Sequence, residues 1–164
     1  MLCLTDPPTG LEQAACLTPD SLPRLAQWQA RVGSLLTVFD GQGGYYRGRL
    51  LDEAGNIHLF QRLPAGVEPL APRLLWQAIP DKERMLWIIQ KAVELGVGEI
   101  QPVMTQHSNH QPRPQGGKPS QDKSTIWAKT ALEAARQCRR AILPPIHPPL
   151  PLSHLLTHRP PHHH

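Results

Sequence analysis

Arg73-Leu-Leu-Trp-Gln-Ala-Ile79, Pro80-Asp81, then Lys82 through Leu95, Gly96, and Glu99-Ile-Gln-Pro-Val-Met-Thr105 is the stretch that decides the fold. Arg73–Ile79 is a compact apolar run and reads as a buried strand ended by Pro80. Asp81 is placed to cap a helix, with Arg84 at the capping-box distance but of the wrong chemistry for a box. Met85, Ile88, Ile89, Ala92 and Leu95 then recur at three- and four-residue spacing, which predicts a helix over 85–95. Gly96 suits the left-handed residue that follows a helix end. Glu99–Thr105 reads as a second strand, and Pro102, lacking a donor, is expected at an edge or a strand end. Strand, helix and strand in this span make a βαβ unit, and such units build parallel sheets.

C-terminal to this unit, Ser108–Gln121 is a long polar segment with three prolines and two glycines. A helix capped by Asp122 or Ser124 then runs to about Arg140. Its expected apolar stripe is Trp127, Ala131, Ala134, Ala135 and Cys138. Pro144–Pro161 holds seven prolines, with one helical turn expected at Leu152–Leu156. His162–His164 reads as a tag remnant or a low-complexity end.

N-terminal to the unit, Pro64–Pro72 reads as a linker. Before it come three short strands, Ser34–Asp40, Tyr45–Leu51 and Ile57–Arg62, separated by Gly41-Gln42-Gly43-Gly44 and Glu53-Ala54-Gly55-Asn56 turns. A meander of this kind must close or pack to hide its edges, so a small β-barrel is expected. Ser21–Arg31 reads as a short helix with Ser21 as cap and Gly33 as stop.

The chain has 164 residues, 40% of them apolar and 18% charged, with 19 prolines. No apolar run approaches the roughly 18 residues of a membrane span, and no basic-then-apolar leader opens the chain. Cys3, Cys16 and Cys138 show no CxxC pattern, which points to a reduced, cytoplasmic setting. No metal-spaced Cys/His set, phosphate loop or nucleophile elbow is present, so no catalytic residue is assigned. The charge is uneven. Residues 1–74 carry six basic and seven acidic side chains, whereas residues 75–164 carry eleven and six. The second part has the electrostatics of a surface that meets an anion, nucleic acid being the commonest large one. Arg136, Arg139 and Arg140 at the end of one helix are the foremost anion candidates, although a helix C-terminus favours cations without any ligand. Tyr45 and Tyr46 beside Arg47 and Arg49 fit either an ordinary hairpin or a base-stacking, phosphate-holding strand. Trp76, Trp87 and Trp127 are read as core.

Taken together, Gln77-Ala-Ile-Pro-Asp-Lys82, Gln90-Lys-Ala-Val-Glu-Leu-Gly-Val97, Glu99-Ile100, Pro102-Val103, Trp127-Ala-Lys129 and Ala131-Leu-Glu-Ala-Ala-Arg-Gln-Cys-Arg-Arg140 resemble the 16S ribosomal RNA uridine-N3 methyltransferase family, RsmE type. Val38–Gly44 matches that family's N-terminal barrel. The resemblance covers about residues 17–156. It implies an α/β protein: a PUA-like β-barrel (1–68) that grips RNA, followed by an incomplete SPOUT α/β-knot domain (73–156) lacking the C-terminal trefoil knot, then a disordered or tag-like tail (157–164). It also implies methyl transfer from S-adenosylmethionine to N3 of a uridine in 16S rRNA of the small ribosomal subunit, by a homodimer in the full-length family. The family's Gly-Pro-Glu-Gly-Gly loop has no match, so the cofactor site is expected to be missing. Arg136 stands where the family usually has Glu, and Gln106-His107-Ser108 where it has Glu-Arg-Ser. RNA contact by Arg136, Gln137, Arg139 and Arg140 is the expectation. The rival readings are a non-catalytic RNA-binding remnant and a fragment without a stable fold.

Overall fold

The computed structural model describes residues 1–64, 67–69, 71, 73–108 and 123–157. The polar segment 109–121, the cap expected at Asp122, and the tail from His158 onward lie outside them. The fold is mixed α/β with two sheets. The chain divides into two compact units, Met1–Ala71 with Leu132–Leu143, and Pro72–Ala131 with Pro144–His164.

The first unit holds strands β1 (Gln13–Cys16), β2 (Leu35–Phe39), β3 (Tyr45–Leu50) and β4 (Asn56–Arg62), and helix α1 (Leu22–Gln27). The strands form an antiparallel sheet in the order β1-β4-β3-β2. Alternation sends Leu36, Val38, Tyr46, Leu50, Ile57 and Leu59 into a buried core, joined by Leu2, Leu4, Leu17, Leu25 and Trp28. The N-terminal segment ties both edges of the sheet. Leu4 N–H donates to Phe39 O at 2.8 Å and Thr5 N–H to Cys16 O at 2.8 Å. Edge strands are thereby paired rather than left open. Ser21 does not cap α1 as expected; its hydroxyl accepts from Cys3 N–H at 2.8 Å and holds the N-terminal segment in place. Tyr46 faces the core, 7% exposed, with the Arg62 guanidinium 5.9 Å from its ring centre. Tyr45 takes the opposite face with Arg47 and Arg49, beside Phe39 at 5.0 Å between ring centres.

The second unit holds β5 (Leu74–Ala78), α2 (Lys82–Glu94), β6 (Glu99–Met104), β7 (Leu150–Pro151) and α4 (Leu152–Thr157). The βαβ unit forms as the hydrophobic spacing predicts. β5 and β6 pair in parallel from Leu74↔Glu99 to Ala78↔Val103, and β7 adds in parallel on the far side of β6. Asp81 accepts from Arg84 N–H at 3.0 Å and caps α2. Met85, Ile89, Ala92 and Val93 are buried. Trp87 is not core: it lies two residues from both Met85 and Ile89, out of the helical stripe, and is 62% exposed. Pro102 is not at an edge either, since β6 is the central strand. Ile100 donates to Pro145 O, so alternation turns the donor-less Pro102 to that same side, where pairing to the chain after Pro145 is sparse. Among the described residues no helix is long and apolar enough to cross a membrane.

Helix α3 (Lys123–Gln137) is shared between the two units, Lys123–Ala131 falling in the second and its last turn in the first. Two consecutive blocks do not anticipate this. The last turn and the segment after it are held in the first unit by polar contacts that no apolar spacing announces.

Candidate nucleic-acid interface

Three helices end in the same Schellman geometry, with a left-handed residue between two backbone hydrogen bonds. In α2 the left-handed residue is Gly96 (φ 83°), with Val97 N–H on Ala92 O at 2.9 Å. In α1 it is Gln29 (φ 46°), with Ala30 N–H on Leu25 O at 2.9 Å. In α3 it is Arg139 (φ 62°), with Arg140 N–H on Ala135 O at 2.9 Å. A side chain in this region costs about 1–2 kcal/mol that glycine avoids. The chain uses glycine at α2 and carries a polar side chain at the other two, and both of these lie in the first unit. Backbone strain of this kind concentrates where a side chain is needed for something other than folding.

Arg136, in the last turn of α3, sends its guanidinium to the C-terminus of α1, donating to Trp28 O and, at 3.2 Å, to Gln29 O. These are carbonyls a helix end leaves without partners, and a cation there also meets the negative end of the helix dipole. Arg139 projects to solvent. Its main-chain oxygen accepts from the Thr37 hydroxyl at 2.9 Å, and that hydroxyl accepts from Arg47 Nη1 at 3.0 Å. Thr37, Arg47 and Gln61 form one cross-strand row, and Arg139 Nη1 reaches Gln61 Oε1 at 3.5 Å. Burial and the adjacent Arg139 charge both hold the Arg47 guanidinium below its usual range. Beside it opens a cleft of about 550 Å³ lined by Gln29, Arg31, Ser34, Leu35, Arg47 and Arg136. Among the described residues no carboxylate pairs with Arg31, Arg47, Arg136 or Arg139.

Of the four expected contact residues, Arg136, Gln137 and Arg139 are at least partly accessible around this turn. Arg140 is not: it is 4% exposed and turned inward onto Glu68. Arg140 Nη2 lies 2.6 Å from Glu68 Oε2, while Glu68 Oε1 accepts from Ala141 N–H at 2.7 Å and Ile142 N–H at 2.8 Å. The pair pins the segment after Leu63 to the chain leaving α3, and that is a structural task. The residues sequence reasoning did not assign, Gln29, Arg31, Thr37 and Gln61, carry no motif. In the sequence Arg47 reads with Tyr45, Tyr46 and Arg49 as either an ordinary hairpin or a phosphate-holding strand.

Among the described residues no group of three or more His, Cys, Asp or Glu is placed to hold a metal ion. None of their buried side-chain nitrogens or oxygens lacks a hydrogen-bond partner, so none is left orphaned in the way a buried cofactor's partners are.

Residues 68–163 match the family model of the RNA methyltransferase domain. The chain belongs to the RNA methyltransferase family. Within it, the relatives it matches are of the RsmE type. The chain is 34% identical over 119 residues to ribosomal RNA small subunit methyltransferase E of Synechocystis sp., covering 72% of this chain and 37% of that protein. It is 27% identical over 127 residues to the Buchnera aphidicola protein of the same name, covering 76% and 49%. The chain thus spans half or less of the length of these relatives. The crystal structure of ribosomal RNA small subunit methyltransferase E from Neisseria gonorrhoeae, bound to S-adenosyl methionine, superposes with a TM-score of 0.54 at 24% identity, covering 98% of this chain and 66% of that one.

Proposed function

We propose that this RsmE-type chain serves N3-methylation of a uridine in 16S rRNA, with S-adenosylmethionine as methyl donor, and that its own share of the work is gripping the RNA. The observation that carries the reading is the exposed Arg139, kept left-handed at a helix end where glycine folds more easily, beside Arg136, Gln137 and Arg47. Guanidinium groups recognise phosphate in two-pronged fashion and remain charged under all physiological conditions. The first unit is a PUA-like barrel in this reading, and the second is the front part of a SPOUT domain. The full-length enzyme works in the cytoplasm as a homodimer.

Methyl transfer requires the donor methyl to be held against the base nitrogen. The family's Gly-Pro-Glu-Gly-Gly loop has no match in this sequence, and in this reading the 164-residue polypeptide by itself binds RNA and not S-adenosylmethionine. Calorimetry with S-adenosylmethionine and filter binding with a 16S rRNA fragment test both halves. Silent calorimetry with salt-dependent RNA retention is expected. Micromolar cofactor binding would refute the division of labour, and absence of RNA retention would refute the grip.

A further inference from the structure

Residues 1–5 lie outside the four strands of the first unit, yet they join the two edges of its sheet. Leu4 N–H donates to Phe39 O and Phe39 N–H to Leu2 O, a parallel pairing with β2 around Cys3↔Phe39. On the other side Thr5 N–H donates to Cys16 O and Thr18 N–H to Cys3 O, antiparallel around Leu4↔Leu17. Leu2 and Leu4 are buried in the core. The Ser21 hydroxyl accepts from Cys3 N–H, and the Arg24 guanidinium donates to Met1 O. Each of these partners lies at Cys16 or beyond, so the slot is equally complementary to the same segment of another copy. We propose that two copies of the chain exchange residues 1–5, each seating the other's segment between β1 and β2, to form a strand-swapped dimer. The exchange is independent of any RNA contact.

The hinge is the connection from Asp6 to Glu12, in which every residue but Pro8 is exposed. Its outgoing leg carries Pro7 and Pro8, which have no N–H to offer a ladder and keep the chain stiff and extended. The leg therefore cannot zip onto β1. Between Asp6–Thr9 and Gln13–Cys16 a cleft of about 370 Å³ opens instead. The chain reverses at the tip, where exposed Gln13 ties Thr9 and Gly10. It returns through Glu12, left-handed at φ 58° without the freedom of glycine. Opening this loop forfeits little packing, and a stiff leg suits a hinge that runs straight into a second copy. Every contact of the exchanged segment is regained in the partner. The dimer's population is then set by concentration. Because Leu2 and Leu4 must leave the core first, exchange is slow and a dimer once formed persists on dilution.

The test uses the 164-residue chain under reducing conditions, with size-exclusion chromatography and light scattering at micromolar and millimolar concentration. The parent is expected to gain a species of twice the monomer mass when held concentrated, and to keep it for hours after dilution. Deleting Thr9 and Gly10 leaves the hinge too short to turn back and should give a dimer already at micromolar concentration. Pro7→Gly with Pro8→Gly softens the leg and should lower the dimerisation constant about tenfold. Thr5→Cys in a Cys3→Ser, Cys138→Ser background reads the exchange itself. Thr5 and Cys16 are exposed neighbours across the antiparallel pairing, at a separation a disulfide can bridge. After oxidation, non-reducing electrophoresis should show two chains joined in the dimer fraction and single chains in the monomer fraction. A dimer fraction whose disulfide stays within one chain would overturn the exchange, since that dimer is held by surfaces. A folded, monomeric hinge-shortened variant, or a parent that stays monomeric at millimolar concentration, would overturn it as well. If the shortened variant fails to fold, the softened hinge decides: an unchanged dimerisation constant counts against the proposal.

Discussion

Replacing Arg139 by glycine should make the protein more stable and a poorer RNA binder at once. Arg139 sits at φ 62°, the next-to-last residue of the α3 Schellman turn, where a Cβ-bearing residue is held against its preference. Relief of that conformation is worth about 1–2 kcal/mol. Glycine gives back about 0.4–1 kcal/mol, because it has more freedom to lose on folding. Little else is forfeited among the described residues, since the side-chain hydrogen bond of Arg139 there, to Gln61 Oε1, is exposed and at 3.5 Å. Its main-chain oxygen still accepts from Thr37 in the variant. Repulsion of Arg47 disappears as well. The net gain is about 0.8 kcal/mol at mid-range, which for a chain of this size raises Tm by about 2–3 °C. Loss of one charge-assisted phosphate contact removes about 1.5–3 kcal/mol of binding, roughly a ten- to hundredfold drop in affinity. Differential scanning calorimetry and oligonucleotide anisotropy on the same preparation read both. A lower Tm would show that the left-handed arginine contributes to the fold. A higher Tm with unchanged affinity would show that the strain has nothing to do with RNA.

Other outcomes follow from the packing. Arg140→Ala strands the Glu68 carboxylate in a buried site and should cost about 3–5 kcal/mol, read as a lower urea midpoint; a shift below 1 kcal/mol would mean that Glu68 is content with its two backbone donors. Gly48→Ala should destabilise by about 1–3 kcal/mol, because a methyl there would lie 2.7 Å from Ile57 Cγ1 and 3.0 Å from His58 O; an unchanged midpoint would show that the strand gives way freely. The Asn56 side chain, then its backbone N–H, holds the Asp52 carboxyl below its ordinary 3.8. A depressed folded-state value contributes stability above the unfolded value of about 3.9 and loses it as pH falls through the folded one. Asn56→Ala should therefore melt earlier than the parent at pH 6, with the gap narrowing toward about pH 2; a gap that stays constant with pH would assign the loss to packing alone.

Much of the architecture was legible because period and punctuation agree. Met85, Ile89 and Ala92 at helical spacing between Asp81 and Gly96 leave α2 little alternative, and the glycine-rich turns at 41–44 and near Gly55 bracket β3 on both sides. β1 was missed because Gln13-Ala-Ala-Cys16 contains no β-branched or aromatic residue; it is a strand through its pairing with β4, with the N-terminal segment on its other edge. β7 hides in a proline-rich run for the same reason. The apolar stripe of α3 was readable, but not the allegiance of its last turn. Arg136, Thr37 and Glu68 hold it there through hydrogen bonds across 72 or more residues of sequence, which leave no periodic trace. The candidate site divides the same way. The run Arg136–Arg140 marks the right turn, yet one residue of rotation separates exposed Arg139 from buried Arg140, and only the left-handed backbone at 139 fixes which is which.

Photo-crosslinking of a 4-thiouridine-substituted 16S rRNA fragment to the 164-residue chain, with the joined peptides mapped by mass spectrometry, tests the RNA grip most directly. Adducts should concentrate in residues 29–35, 45–49 and 136–139. Adducts confined to Pro72–Ala131, with the first unit unmarked, would contradict the account.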